Sequence, residues 1–314
     1  MDRRTAVVLS LAALGSSAAF VLAAPFGAPA DAAESTRVID QDVDLAGART
    51  LMIRSGSADL RIRPTLARRQ GRPGESGAGG APTARANAPA PAGSSAHVHA
   101  ELRGTPEELA AAVHVSREGD QVTLTLDEPR PRQRGWTSIF SRSSWRSQTY
   151  EILLAADVDL TVRTGSGDVT VDAPPRGIRA RTQSGNLAVT DARAAVEAQS
   201  ASGNVSVNEP RGAVDAHTAS GNLVVRGAVS SLELRTSSGN VSAALRAGWS
   251  GDAVRMESSS GNVRLAVPPG FRAALHTSTS SGRVTDAAHV AAAGSPVVSL
   301  RSSSGDVEIV TGGG

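Results

Sequence analysis

The stretch "RTSSGNVSA" at 235–243 recurs in the chain as "QSASGNVSV" at 199–207 and "HTASGNLVV" at 217–225. The glycines of these Ser-Gly pairs belong to a longer series. Its spacings are 18, 18, 18, 18, 22, 21 and 23 residues, and its positions are 167, 185, 203, 221, 239, 261, 282 and 305. A fixed period in this range is typical of short repeats that stack into a solenoid.

Within each repeat, small or aliphatic residues alternate with polar ones. Counting back by twos from Ser220 gives Thr218, Ala216 and Val214. An alternation with a period of two is typical of a strand with one buried face. The sequence therefore predicts an all-β, single-stranded β-solenoid (β-helix) of about eight to nine coils with an N-terminal cap of strands and a short helix. Each coil would pair with the next one in sequence at a spacing of ~4.8 Å.

The Ser-Gly-Asn turns are expected to line one edge of the solenoid. Glycine suits a tight corner that needs a positive φ angle, and Asn tolerates such corners. Stacked in register, the Asn side chains would bond one another from coil to coil. The predicted turn ladder consists of Gly167, Gly185, Gly203, Gly221, Gly239, Gly261, Asn186, Asn204, Asn222, Asn240 and Asn262. An inward column of hydroxyls would pair in the same way, at Thr164, Thr182, Ser200, Thr218 and Thr236.

The repeat pattern also appears before the main array. "LMIRSGSADLRI" at 51–62 aligns with "LTVRTGSGDVTV" at 160–171, so the first strands of the β domain are expected within 33–63. Residues 64–95 are rich in Pro, Gly and Ala and are predicted to be a disordered insertion. Residues 96–155 are predicted to hold cap strands, a short helix at 105–112 and a loop rich in Arg and Trp. The β-solenoid repeats follow at 156–310, and a glycine tail at 311–314 ends the chain.

The C-terminal part of the array departs from the pattern. In "SSGRVTD", Arg283 stands where other repeats have Asn or Asp, and Asp286 replaces an aliphatic residue, so this coil is expected to be distorted. Only "TGGG" follows Val310. The edge near Val310 would then be open, which leaves end-to-end self-association as an alternative.

The N-terminus has the features of an export signal. "MDRR" is followed by a long apolar run and by Ala30-Asp31-Ala32, a small-x-small cleavage site. We therefore predict a signal peptide at 1–32 and an exported protein in the periplasm, on the outer surface or secreted. The alternative is a retained N-terminal anchor, because the apolar run approaches the length that spans a membrane. The chain has no cysteine, so disulfides cannot stabilise it.

The charge composition does not indicate a nucleic-acid partner. All 32 basic residues are Arg, the net charge is +2, and the pI of 10.1 reflects the scarcity of groups that titrate between His and Arg. One segment, "RPRQRGWTSIFSRSSWR" at 130–146, does combine arginines with aromatic residues, and together these side chains bind anionic surfaces. The candidate interaction loop consists of Arg130, Arg132, Arg134, Trp136, Phe140, Arg142, Trp145 and Arg146. The alternative is a hairpin loop whose aromatic rings pack on the solenoid flank.

No catalytic residue, metal site or cofactor is predicted. His97 and His99 lie on one face of a strand, but no third ligand is near in sequence. "GWSGD" at 248–252 differs from a nucleophile elbow by Asp252 and is interpreted as a loop insertion. The outward residues of the repeats are mixed in type and show no cluster of acids and bases.

Taken with the export signal and the cap, the repeats "TGSGDVTV", "QSGNLAV", "ASGNVSV", "ASGNLVV", "SSGNVSA", "SSGNVRL" and "SSGDVEI" resemble the bacterial "putative adhesin" family. This is a family of β-strand-repeat proteins of the cell envelope, a domain of unknown function. The resemblance covers residues 36–314 apart from the insertion. It implies a β-solenoid fold, and it transfers no catalytic motif.

Three functions follow as hypotheses. The first is a non-enzymatic exported β-solenoid that serves as an adhesin or envelope surface-interaction module. Its contact face would be an outward column at Thr170, Ala188, Ser206, Val224 and Ser242. The second is a periplasmic scaffold or signalling partner that binds a protein or the membrane through the Arg/Trp loop. The third is a polysaccharide-active enzyme. The expected partner is an envelope or surface ligand: a glycan, a lipid headgroup or a protein.

Overall fold

The computed structural model describes residues 10–11, 35–65, 95–104, 112–126, 148–155, 157–174 and 176–312. These residues form 24 strands in two sheets and contain no helix. The predicted all-β class is therefore confirmed. Nearly all of four predicted segments lie outside the described residues: the signal peptide at 1–32, the insertion at 64–95, the helix at 105–112 and the loop at 130–146.

The first sheet has 13 strands. In spatial order they are β1 (Ser10–Leu11), β2 (Ser35–Asp44), β5 (Ser95–Gly104), β8 (Thr149–Leu154), β4 (Asp59–Pro64), β10 (Val169–Asp172), β12 (Leu187–Thr190), β14 (Val205–Asn208), β16 (Leu223–Gly227), β18 (Val241–Leu245), β20 (Val263–Val267), β24 (Val307–Thr311) and β22 (Val284–Asp286).

The second sheet has 11 strands. In spatial order they are β6 (Val113–Glu118), β7 (Gln121–Leu126), β3 (Thr50–Ser55), β9 (Asp159–Thr164), β11 (Ile178–Thr182), β13 (Val196–Ser202), β15 (Val214–Ser220), β17 (Ser231–Ser238), β19 (Ala253–Ser260), β23 (Ala291–Ser304) and β21 (Arg272–Ser281).

Each coil of the solenoid contributes one strand to each sheet. Equivalent residues of neighbouring coils pair in parallel and in register, as in the series Leu187, Val205, Leu223 and Val241. The structure has ten such coils in its described part, because β7 and β8 form a coil that the repeat count missed. The predicted β-solenoid is confirmed.

One continuous core lies between the two sheets. The inward residues are almost all Val, Leu, Ile and Ala, and Tyr150 is the one large aromatic residue among the fully buried side chains of the described residues. Such small side chains fit the narrow space between two parallel sheets. The two outer faces carry the side chains that alternate with the buried ones along each strand.

The coils do not stack in simple sequence order, and the prediction that each pairs with the next is wrong at both ends. At the N-terminal end, β3 and β4 lie between the β7–β8 coil and the β9–β10 coil. At the other end, β23 and β24 insert between the β19–β20 coil and the β21–β22 coil. The last coil in sequence is thus the penultimate coil in space.

The C-terminal edge is therefore not where the sequence placed it. β24, which contains Val310, pairs on both sides, with β20 and with β22. The edge consists of β21 and β22. Arg283 lies between these two strands, and Asp286 is the last residue of β22. This coil is irregular: its register shifts between Ala273 and Ala274, and β22 has only 3 residues. A coil without the repeated Asn and aliphatic residues supports no further coil, which places it at the end.

The N-terminal end is closed by antiparallel strands. β2 pairs antiparallel with β5, β5 pairs antiparallel with β8, and β6 pairs antiparallel with β7. These strands reverse the direction of the parallel array and end its regular stacking. Among the described residues, no helix is long and apolar enough to cross a membrane.

Candidate interaction faces

A ladder of hydrogen bonds joins the Ser-Gly corners of neighbouring coils. From the β3–β4 coil to the β21–β22 coil, the Oδ1 atom of the residue after the corner accepts a hydrogen bond from the backbone N–H of its equivalent in the next coil in space, at 2.8–3.0 Å. The ladder runs through Asp59, Asp168, Asn186, Asn204, Asn222, Asn240, Asn262, Asp306 and Arg283.

This ladder differs in chemistry from the expected amide column. Direct side-chain bonds are recorded from Asn186 to Asp168 and from Asn204 to Asn186, at 3.1 and 3.2 Å. Elsewhere the bond is from backbone to side chain, so Asp serves as well as Asn. Arg283 has no side-chain oxygen to offer, and the ladder ends there.

The corner glycines are required by close approach, and four of them also have the predicted positive φ, at 150–159°: Gly221, Gly239, Gly261 and Gly305. A Cβ atom added to Gly185 would lie 2.0 Å from the carbonyl oxygen of Gly167, and the other corner glycines are equally crowded. Positive φ angles also occur at the opposite corner, where non-glycine residues adopt them: Ala173, Asp191 and Glu209, with φ of 43°, 52° and 54°. The predicted positive φ is therefore confirmed at four corners, whereas close approach applies at every corner of the series.

The inward hydroxyls also have partners other than those expected. Thr218 and Thr236 donate to the carbonyl oxygens of Gly203 and Gly221 in the preceding coil, at 3.1 and 3.2 Å. They are buried, with 4% and 6% of their surface exposed. Each of these two hydroxyls therefore satisfies the carbonyl of a corner glycine, and among the described residues no hydrogen bond joins one inward hydroxyl to the next.

We expect Asn222→Ala to lower the free energy of unfolding by about 1 kcal/mol, because it removes the acceptor of the Asn240 backbone N–H. The matched control is Asn222→Asp, which retains an Oδ1 acceptor, as Asp168 and Asp306 do. Urea unfolding followed by circular dichroism measures both variants. An equal loss in Asn222→Asp would mean that the ladder does not act through this acceptor.

The outer face of the first sheet carries the column of small residues that the sequence analysis singled out. These residues are partly exposed and lie directly opposite one another in register, at Thr170, Ala188, Ser206, Val224 and Ser242. The next row on this face begins with Asp172, Thr190 and Asn208. The result is a flat strip across five coils, without a bulky side chain in the column itself.

The outer face of the second sheet is charged. One row contains Glu197, Asp215 and Glu233 in consecutive coils. The row beside it, which we name the donor row, holds residues that can all donate a hydrogen bond: His114, Thr125, Arg54, Arg163, Arg181, Gln199, His217 and Arg235. This row was not predicted from the sequence, because its arginines become neighbours only through the register of the strands.

Ion pairs form within the row of Glu197, which also contains Arg179, and between that row and the donor row. Glu197 accepts hydrogen bonds from Arg179 at 2.5 Å and from Arg181 at 3.0 Å. Desolvation by burial opposes ionisation of Glu197, but the two arginines outweigh it and hold the pKa of this carboxyl below its ordinary value. Glu197 therefore stays ionised and neutralises part of the arginine charge around it.

A cleft of about 500 Å³ lies where the longer corner loops meet near the C-terminal end. Trp249 and Phe271 line it, with their ring centroids 5.6 Å apart. Both rings also pack against the core, and the Trp249 indole N–H donates to the Val229 carbonyl. The predicted loop insertion at 248–252 thus covers one corner of the core.

The two strand histidines pair with aspartates across the β2–β5 ladder. His97 Nδ1 lies 2.7 Å from Asp42 Oδ1, and His99 Nδ1 lies 2.5 Å from Asp40 Oδ1. Within the described residues, no group of three or more His, Asp or Glu side chains is arranged to hold a metal ion. The Arg/Trp loop at 130–146 lies outside the described residues, between the end of β7 and the start of β8.

The fold and the repeat pattern match a known family. The family model described as Toastrack DUF4097 matches residues 92–310, more than half of the chain. The chain belongs to the Toastrack DUF4097 family. The family model begins just before β5, so the Toastrack match covers nine of the ten coils, without the β3–β4 coil.

Several solved structures resemble this Toastrack protein. A putative adhesin from Bacteroides fragilis is 12% identical, with a TM-score of 0.44, and the match covers 88% of this chain and 98% of that one. A putative cell adhesion protein from Clostridium sporogenes is 8% identical, with a TM-score of 0.27 and coverages of 88% and 100%. A putative adhesin from Parabacteroides distasonis is 6% identical, with a TM-score of 0.33 and coverages of 86% and 96%. None of the curated proteins matches the chain.

Proposed function

We propose that this protein is an exported, non-enzymatic interaction module of the bacterial cell envelope, of the adhesin type, which binds its target through the outer face of the first sheet. The observation that carries the proposal is the in-register column from Thr170 to Ser242. The target is an envelope or surface ligand such as a glycan, a lipid headgroup or a protein.

The physical argument for this face is preorganisation. Every strand of the column is hydrogen-bonded on both sides, so its backbone is already ordered before a ligand arrives. Ala188, Ser206 and Ser242 have few rotamers to lose, so that binding costs little side-chain entropy. Thr190 and Asn208 in the adjacent row offer hydrogen bonds at the spacing of the coils.

Ser206→Glu tests this face. Ser206 lies between Ala188 and Val224, so the new carboxylate has no cation opposite it in the column and would be desolvated by a ligand on the flat strip. We expect at least a tenfold weaker binding of the purified protein to isolated cell envelopes, measured by co-sedimentation and on a glycan array.

The matched control is Ser299→Glu on the opposite sheet, which makes the same change in net charge. Its neighbours in register are Arg255 and His276, so it should be tolerated, and binding should stay within twofold of the wild type. Unchanged binding of Ser206→Glu would remove the first sheet's outer face from the proposal.

Export and surface exposure are tested separately. A C-terminally tagged copy is followed by cell fractionation and by protease treatment of intact cells. Loss of the tagged protein from intact cells supports the adhesin role. Protection until the outer membrane is opened contradicts it and favours the periplasmic scaffold. Degradation of any polymer in a panel of glycans would contradict the non-enzymatic assignment.

A further inference from the structure

We propose that the outer face of the second sheet binds a linear polyanion, specifically an acidic polysaccharide, along the donor row. This site lies on the sheet opposite to the flat strip, so it goes beyond the proposed function and does not depend on it. It is a single row, one residue wide and eight strands long, of side chains that donate hydrogen bonds.

The length of the row suits an extended chain. Seven steps of ~4.8 Å between neighbouring strands give about 34 Å, and no register shift interrupts the row. Beyond Arg235 the next residue in register is Glu257, which ends the row at that side. On the other side His114 lies on β6, the outermost strand of the second sheet.

Three arginines of the donor row lie where their positive charges repel one another. Arg54, Arg163 and Arg181 lie directly opposite one another in three consecutive coils. Like charges directly opposite in a sheet are destabilising. Arg181 is compensated by Glu197, but Arg54 and Arg163 form no ion pair with any described residue. An anionic ligand would relieve this repulsion, so the uncompensated pair is the centre of the site.

The charges beside the row indicate a chain and not a membrane surface. Glu197, Asp215 and Glu233 occupy the adjacent row on the same outer face. An anionic bilayer would meet both rows together and would be repelled by these three carboxylates, which lie between Arg179 and Arg255 in their row. A single polymer chain can lie on the donor row and leave the acidic row in water.

The side-chain types favour a polysaccharide over a nucleic acid. Proteins that bind single-stranded nucleic acid stack the bases on exposed aromatic side chains, and the donor row contains no Phe, Tyr or Trp. Its residues are those that bind carboxylate, sulfate and hydroxyl groups: guanidinium, imidazole, amide and hydroxyl. Uronate or sulfate groups along a glycan supply such acceptors repeatedly.

The test is binding of the full chain to heparin and to alginate, with neutral dextran as the uncharged reference, by biolayer interferometry between 50 and 300 mM salt. We expect binding to at least one acidic polymer, no binding to dextran, and a loss of affinity as salt rises. The double variant Arg54→Gln/Arg163→Gln should bind at least tenfold more weakly and show a shallower dependence on salt.

The matched control is Arg193→Gln/Arg226→Gln, which removes the same charge from two exposed arginines outside the second sheet. It should bind within threefold of the wild type. An equal loss in both double variants would mean that only net charge matters and would overturn the site. Failure of the wild type to bind either acidic polymer at 50 mM salt would overturn it as well.

Three further measurements test the position of the site and the class of its ligand. Gln199→Glu keeps every arginine but introduces a carboxylate into the donor row, and it should also weaken binding at least fivefold. Tighter binding to single-stranded DNA than to the glycans would overturn the assignment to polysaccharide. Ser206→Glu should leave heparin and alginate binding unchanged, which separates this site from the flat strip of the proposed function.

Discussion

Gly221→Ala is expected to prevent the central coils from folding. The added Cβ would lie 2.1 Å from the carbonyl oxygen of Gly203 in the preceding coil, well inside van der Waals contact. The two coils cannot separate locally, because Leu223 and Val205 are held in register by the hydrogen bonds of the sheet beside the corner. We expect a loss of more than about 3 kcal/mol, which is a large part of the stability of an ordinary domain.

Far-UV circular dichroism and urea unfolding measure this effect. The matched control is Gly56→Ala, since a Cβ at Gly56 would meet nothing within 4 Å. Gly56→Ala should retain the wild-type unfolding midpoint within the error of the experiment. A wild-type midpoint for Gly221→Ala would show that the coils can part at the corner, and that close approach does not explain the glycine series.

Leu234→Ala is expected to lower the free energy of unfolding by about 2–5 kcal/mol. Leu234 is 0% exposed and faces the space between the sheets, with Ala216 and Met256 in register on either side. The cavity left by the missing atoms cannot close readily, because the hydrogen bonds between strands hold the neighbouring coils at their spacing.

The control for the core prediction lies one residue away. Glu233 faces outward on the same strand and pairs with Arg235. Glu233→Ala should lower the free energy of unfolding by less than about 1 kcal/mol, because an exposed ion pair contributes no more than that. Urea unfolding with two spectroscopic probes compares the variants. Similar losses in Leu234→Ala and Glu233→Ala would contradict the inward assignment of this strand's alternate residues.

The alternation of small and polar residues predicted most of the strands, because a period of two has one physical interpretation, a strand with one buried face. The period of the Ser-Gly pairs likewise predicted parallel stacking in register. The predicted turn residues do form a ladder, but its chemistry was not visible from the pattern. Whether Oδ1 of Asn222 binds a side chain or the Asn240 N–H depends on distances that only the folded corner has.

The donor row could not have been predicted as a site without the register. Arg54 and Arg163 are 109 residues apart in sequence and become direct neighbours because β3 pairs with β9. A signal was present: the residue before the last inward Thr or Ser of several repeats is Arg, as in "IRS" at 53–55, "VRT" at 162–164 and "LRT" at 234–236. Outward residues that are mixed in type along the chain can therefore form a row of similar residues across neighbouring strands.

The amino-acid sequence alone determined that this protein is a β-solenoid, which residues face its core, and where its Ser-Gly corners lie. These properties follow from local periodicity, which every repeat carries within itself. Only the tertiary structure decided the order of the coils, since β3–β4 and β23–β24 each insert between coils that come from other parts of the chain. Pairing between distant strands depends on which strand edges are still unpaired and match each other in side chains and corner residues. The coil with Arg283 and Asp286 offers neither the ladder acceptor nor a complete aliphatic face, and it therefore occupies the end.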